Sequence, residues 1–362
     1  MIKKTMFFVL LASIVFAVPA FANEVNEASG PERIPYITAL RSSLRNLPGI
    51  TAFDDQIDDM TEVRDDLRSL LELRRVSGTL TRPEELQMQR QIANLGSHIQ
   101  SMRVAQDTVR IGTEFSMRNS ITTINNTTLD IELMEATLAY YQNNLNTAQL
   151  RFNAGLISES ALQAAELSVQ QRESNLAALL VNLESARHDL NRTLQRPVTD
   201  YVYIFFDREL MELPDNLDRH IRDVVSSQPN VRQREIAYNR ARAYLSDLRT
   251  DFGNPVRAQL ERERDQARRE YNEIRRNVET AMRNHYNNLT AMLHNKESLA
   301  IDLTRALDRY EIATLNYQAG LATRFDIEAA ERGVLAAEIA LERTLNNFWN
   351  AQFLFENPFL IP

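Results

Sequence analysis

The chain has 362 residues, enough for two ordinary domains or one elongated repeat architecture. A quarter of the residues are charged, with only 9 glycines and 11 prolines, a balance that favours helix over strand. A formal net charge of −8 argues against a nucleic-acid-binding surface, and the absence of cysteine excludes disulfides, thiol chemistry and an N-terminal lipid anchor.

The first segment is a leader. Lys3 and Lys4 precede an apolar run from Met6 to Val18, and Ala20, Phe21 and Ala22 put small residues where a signal peptidase reads, so residues 1–22 are expected to be a secretory signal removed before Asn23. Beyond it no apolar run reaches the roughly 18 residues that a membrane-spanning helix needs. Next comes a turn, "SGTLTRP" at Ser77 to Pro83, and then a helix predicted over Glu84 to Asn153; at 1.5 Å per residue its ~70 residues make a rod of roughly 105 Å. "RFNAGLIS", Arg151 to Ser158, interrupts it, and a returning limb runs to Pro197. The link Val198 to Pro214 holds an aromatic and β-branched run, Tyr201 to Phe206, that reads as a short strand. A single helix is then expected over Asn216 to Arg249, a turn at Thr250 to Pro255, and a second long rod from Val256 to Gln318. "NYQAGLAT", Asn316 to Thr323, interrupts that rod as the earlier stretch did the first.

The two interruptions anchor an internal duplication. When Gly155 is laid on Gly320, Ala164, Ala165, Glu166, Val169, Glu173, Leu176 and Leu180 meet identical residues. Apolar residues recur every seventh position on all four limbs: Met117, Ile124, Ile131, Leu138 and Leu145; Leu162, Val169, Leu176, Leu183 and Leu190; Met282, Leu289, Leu303 and Tyr310, broken only by Lys296; and Ile327, Val334, Leu341, Phe348 and Phe355. That period marks coiled-coil seams. Each Ala-Gly-Leu is therefore the tip of a helical hairpin, its glycine taking the left-handed backbone that ends a helix. Small residues at complementary positions, Ala165, Ala186, Ala330, Ala337 and Ala351, allow close approach. The expected organisation is a first repeat over residues 23–197, a link over 198–214 and a second repeat over 215–362, with each long helix flanked by two stacked shorter ones.

Heptad seams, twin tips, a strand-like link and a leader together resemble the TolC-like outer-membrane efflux proteins over nearly all of the chain after the leader. The resemblance implies an all-α fold of long coiled-coil hairpins with a minor β segment, a duplicated protomer of an α-helical tunnel. It further implies a homotrimer whose twelve helices form a hollow cylinder, docked through its tips to a periplasmic adaptor and an inner-membrane pump, and passing small molecules or polypeptides outwards. By that resemblance Ala154, Gly155, Leu156, Ala319, Gly320 and Leu321 match the adaptor-contacting tips, and Tyr317, Asp326 and Glu328 belong to the tunnel entrance. The pattern is departed from at Ala329, where a second aspartate is expected, and at Ala161, where the tyrosine's acidic partner would stand. A larger departure lies at the opposite end. The family inserts membrane strands there, each needing about 9 to 11 residues. "SGTLTRP" and "TDFGNP" hold none, and Arg68, Arg74, Arg75 and Arg82 beside one turn, with Arg257, Arg262 and Arg264 beside the other, belong in water. Export to the periplasm or cell envelope is expected, with outer-membrane association only by resemblance and no barrel.

Three rival classes make different demands on the sequence, and one of them, an adaptor-type protein, needs β-rich domains beside its hairpin that this sequence does not offer. His98, His188, His220, His285 and His294 never take the spacing of a zinc helix, and no phosphate loop is present, so no enzyme, metal or cofactor is expected. A non-conducting coiled-coil scaffold would use the same heptads. Asn125, Asn126, Thr127, Thr128, Asn143, Asn144, Asn287 and Asn288, poor helix formers between seam residues, lean towards a wetted lumen and suit a face turned to bulk solvent equally well.

Overall fold

The computed structural model describes residues 32–45, 47–199, 202–205, 211–247 and 254–360. The leader, residues 250–253 of the second turn and Pro362 lie outside them. Strand β1 (Glu32–Pro35) is followed by α1 (Tyr36–Arg45), α2 (Pro48–Val76), α3 (Arg82–Asn153) and α4 (Glu159–Thr193). Strand β2 (Val202–Phe205) then leads to α5 (Leu217–Val225), α6 (Pro229–Asp247), α7 (Asn254–Gln318), α8 (Arg324–Glu356) and a 3-10 turn at Pro358–Leu360. The rods expected from the sequence are present, α3 with 72 residues and α7 with 65.

Two elements differ from the sequence expectation. The single helix over Asn216 to Arg249 is two helices, broken at Ser226, Ser227 and Gln228. Pro229 heads α6, and the residue before a proline is driven out of the helical region. The break is put to use: the buried Gln228 side chain donates to the Glu356 carbonyl (3.0 Å) and so ties α6 to the end of α8. The other difference is β1, which pairs in parallel with β2, Glu32 against Val202 through Pro35 against Phe205. Four residues containing Glu, Arg and Pro give no strand signal of their own.

The helices form an open wall. On one side α3 packs against α2 and α4, and it also packs against α6 and α8, which in turn pack against α7. Along the wall the order is α2 with α4, then α3, then α6 with α8, then α7. Buried polar side chains tie helix ends at both junctions: Gln228, just before α6, reaches Glu356 at the end of α8, and Ser43 of α1 donates to the Thr193 carbonyl at the end of α4 (2.6 Å). Between α3 and α6 stands the ion pair Asp107 with Arg232 (2.9 Å), and between α6 and α7 the pair Glu270 with Arg234 (2.8 Å).

Apolar burial concentrates at mid-height, where the short helices meet. Met282, Leu289, Phe348 and Phe355 join α7 to α8 there, against Ile221 and Val225 of α5. Met117, Ile121, Leu190 and Trp349 form a second cluster with Ile204 of β2. Arg118 closes it, its guanidinium 4.4 Å from the Trp349 ring centre and 4.6 Å from that of Phe353, a cation over two aromatic faces. Its Nε also donates to the Tyr36 hydroxyl (3.0 Å) and to Glu114 (3.2 Å), which fixes the start of α1 to α3. Burial pushes the Tyr36 phenol well above its ordinary range, so it remains a neutral donor.

Candidate functional site

The two tips are built alike, atom for atom. At the first, Gly155 takes φ 72°, its N–H donates to the Phe152 carbonyl (2.8 Å), and the Leu156 N–H reaches the Arg151 carbonyl (2.8 Å). At the second, Gly320 takes φ 72°, donates to the Tyr317 carbonyl (2.9 Å), and the Leu321 N–H reaches the Asn316 carbonyl (2.8 Å). This double closure satisfies the last carbonyls of a helix and needs a left-handed residue, for which glycine carries no side-chain penalty. Ala154 and Ala319 donate to Leu150 and Leu315 one turn back (3.1 and 3.0 Å). The outermost side chains are then apolar and bare, Leu156 at 73% and Leu321 at 79% exposure.

The returning helices start by different caps. Ser158 accepts from the Ala161 N–H (3.3 Å). Asp326 accepts from both the N–H and the hydroxyl of Thr323 (2.7 Å each), and these bonds hold its carboxyl below the usual range. Its carboxylate is thus engaged in capping α8. Glu328 accepts from Arg324 (3.0 Å) and, across to α3, from Asn143 (3.4 Å). Tyr317 is exposed on the last turn of α7.

Behind the tips, α3 and α8 meet along a seam of another kind. Asn350 donates to Asn119 (3.2 Å), Asn346 to Asn126 (3.0 Å) and Asn126 to Asn347 (2.9 Å); Arg343 pairs with Asp130; Arg332 lies 3.7 Å from the Tyr140 ring centre. Phe325 meets the same tyrosine edge-on, and Arg172 of α4 covers the neighbouring Tyr141. Asn126 and Asn143, which the sequence suggested for a wetted lumen, serve this junction instead. The residues missed by the sequence, Tyr140, Arg332 and Arg343, occupy non-heptad positions, and only contact between α3 and α8 gives them meaning. The pairs run antiparallel in constant register, Asn119 with Asn350 and Asn143 with Glu328. That register brings Gly320 level with the last turn of α3, so both tips share one edge.

No family model matches this sequence, and no curated protein sequence matches it. Solved structures do. The CmeC outer membrane channel of Campylobacter jejuni superposes with a TM-score of 0.67 at 11% identity, covering 89% of this chain and 85% of that one. The outer membrane protein VceC of Vibrio cholerae gives 0.64 at 10% identity, covering 88% and 94%. CusC, described by its transmembrane channel formation, gives 0.60 at 15%, covering 89% and 94%. The chain has the TolC-like channel fold.

Within that TolC-like fold, the end opposite the tips is distinctive. Helices α2 and α3 are joined by Ser77 to Thr81 alone, closed by Gly78 at φ 65° with bonds from Gly78 N–H to Arg75 (3.3 Å) and Thr79 N–H to Arg74 (3.2 Å). Arg75 further pairs with Glu72 and Glu85 around this turn. A strand of membrane-spanning length has no room there. Among the described residues no helix is long and apolar enough to cross a membrane.

Proposed function

We propose that the chain is an exported subunit of a TolC-like conduit, in which three copies close edge to edge around a water-filled axis and pass small molecules or polypeptides through the cell envelope. The observation that carries this reading is the pair of free edges on the wall. Leu167, Leu180 and Val181 are exposed along α4, and Ile301, Ile312 and Leu315 along α7. These stripes stand at matching heights above the tips, to within about one helical turn. Joining two different edges is a heterologous contact, which closes into a ring when the wall curves enough. With twelve helices spaced about 8–10 Å apart, the centre line would be roughly 31–38 Å across, leaving a lumen of roughly 20 Å or more inside helices about 10 Å thick.

On this reading the repeats at residues 23–197 and 215–362 each supply one hairpin, behind a signal peptide at residues 1–22. Ala154, Gly155, Leu156, Ala319, Gly320 and Leu321 form the edge presented to a periplasmic adaptor and its inner-membrane pump, and bare leucines beside small residues suit an apolar helical partner. Tyr317, Asp326 and Glu328 border the entrance. The far end remains in water and hands cargo on without a barrel of its own.

Because the chain has no native cysteine, Leu180→Cys with Ile301→Cys provides a clean test. Oxidation should give a ladder ending at three linked chains, and averaged images should show an open axis. A monomer, or a solid rod with a dry centre, would remove the conduit and leave a scaffold. The missing barrel is tested separately, since a carbonate wash should release the protein from envelope membranes.

A further inference from the structure

A groove of about 560 Å3 lies over α8, between α3 and α7. Its apolar surface comes from Ala139, Leu307 and Leu335, and two rings flank it, Tyr140 on α3 and Tyr310 on α7. Three carboxylates of α8 line it, and they are not equivalent. Glu328 is held by Arg324 and Asn143, whereas among the described residues Glu331 and Glu338 form no ion pair. Arg332, which also lines the groove, lies over the face of Tyr140. Burial, with Glu132 of α3 adding its repulsion, pushes the Glu338 carboxyl above the usual range. With Glu328 paired to Arg324, the carboxylates of Glu331 and Glu338 outweigh the single Arg332 guanidinium, so the groove joins apolar area and an aromatic face to net negative charge.

We propose that this groove binds an amphipathic organic cation, its apolar body on Ala139, Leu307 and Leu335 between the two tyrosines and its charge against Glu331 and Glu338. Anions are opposed by the same carboxylates. A cation gains from the exposed carboxylates of Glu331 and Glu338 and from the Tyr310 ring, whereas a neutral ligand gains only the apolar contact. The volume suits a small molecule. A docked helix, about 10 Å thick, would need a longer trench. A second copy of the chain does not fill the space either, because a neighbour on the α7 edge meets Ile301, Ile312 and Leu315, whereas Leu307 and Tyr310 lie on another face of that helix. The inference stands apart from the conduit reading, since the groove is complete in one chain.

Tetraphenylphosphonium and tetraphenylborate have the same shape and opposite charge, which makes them suitable probes for calorimetric titration of the full chain without its leader. The cation should bind once per chain, and the anion roughly tenfold more weakly or not at all. The double variant E331Q/E338Q should weaken the cation by about tenfold, whereas E166Q/E173Q on α4, with the same change in net charge, should leave it unaltered. Tyr310→Ala should lose several-fold, and Tyr310→Phe should retain most of the binding. Thermal melts by circular dichroism confirm that each variant is folded. Equal binding of the two probes, or a loss with E166Q/E173Q as large as with E331Q/E338Q, overturns the proposal. So does displacement of the cation by a helical peptide whose own binding ignores the two carboxylates, which would assign the groove to a protein.

Discussion

The seam inside each hairpin and the seam between the hairpins obey different rules. Inside, α3 meets α4 and α7 meets α8 through apolar residues at sevenfold spacing, with Met117, Met282 and Leu289 fully buried. Between the hairpins, α3 meets α8 largely through asparagines, an ion pair and an arginine stacked on a tyrosine. Apolar contact gains stability without regard to direction, whereas hydrogen-bonded pairs contribute little net but penalise any wrong register. The inner seams thus hold each hairpin together, and the seam between them fixes where one hairpin stands relative to the other.

The largest expected effect lies in the inner seam. Met282→Ala should cost about 2–5 kcal/mol by opening a cavity, read by urea unfolding through Trp349, the only tryptophan. A cost below about 1 kcal/mol there would erase the contrast. Asn346→Ala, in the seam between hairpins, should cost about 1–2 kcal/mol, because it strips a partner from Asn126. Replacing Asn126 and Asn346 together by leucine should recover most of that loss while relaxing the register, visible as a broader inter-hairpin distance distribution between spin labels near the tips.

A third prediction concerns helix ends. Gln195 ends α4 with φ 56°, donating to Arg192 (3.2 Å) while the Arg196 N–H reaches Asn191 (2.9 Å), the same double closure as the tips without their glycine. Gln195→Gly should raise stability by about 1 kcal/mol, and Gly155→Ala should lower it by about as much. Equal melting temperatures for wild type and Gln195→Gly would contradict the strain. The smallest effect is electrostatic. Because the folded Glu338 carboxyl titrates above its unfolded value, its contribution is complete in acid and is lost as pH rises through the folded value. Glu338→Gln should therefore stabilise at pH 7 by a few tenths of a kcal/mol at most after solvent screening, and the gain should vanish below the ordinary carboxylate range, about pH 4.

Much of the fold was legible because its driving pattern is periodic. Val169, Leu183 and Leu190 face inward on α4 as their spacing implied, and both Ala-Gly-Leu stretches close as helix ends. The α5–α6 break was harder to see, since Pro229 follows a helix-compatible stretch and could have sat on the first turn of a helix or ended one. Strand β1 was invisible because β2 supplies its reason to exist. At the candidate site, Asp326 could be found by its offset from Gly320, but its bond to Thr323 is a matter of local cap geometry. Tyr140 and Arg332 could not be found, because nothing in a heptad marks which outward residues meet across a second interface.

By itself the sequence determined the rods, the places where they turn and the face each turns inward, since backbone freedom at glycine and a sevenfold apolar period act over a few residues. Tertiary structure alone decided the order of helices in the wall, the polar register of α3 against α8 and the edges left bare. Those depend on pairs more than a hundred residues apart, such as Asn126 with Asn346, and no local rule relates their side chains until the chain has folded.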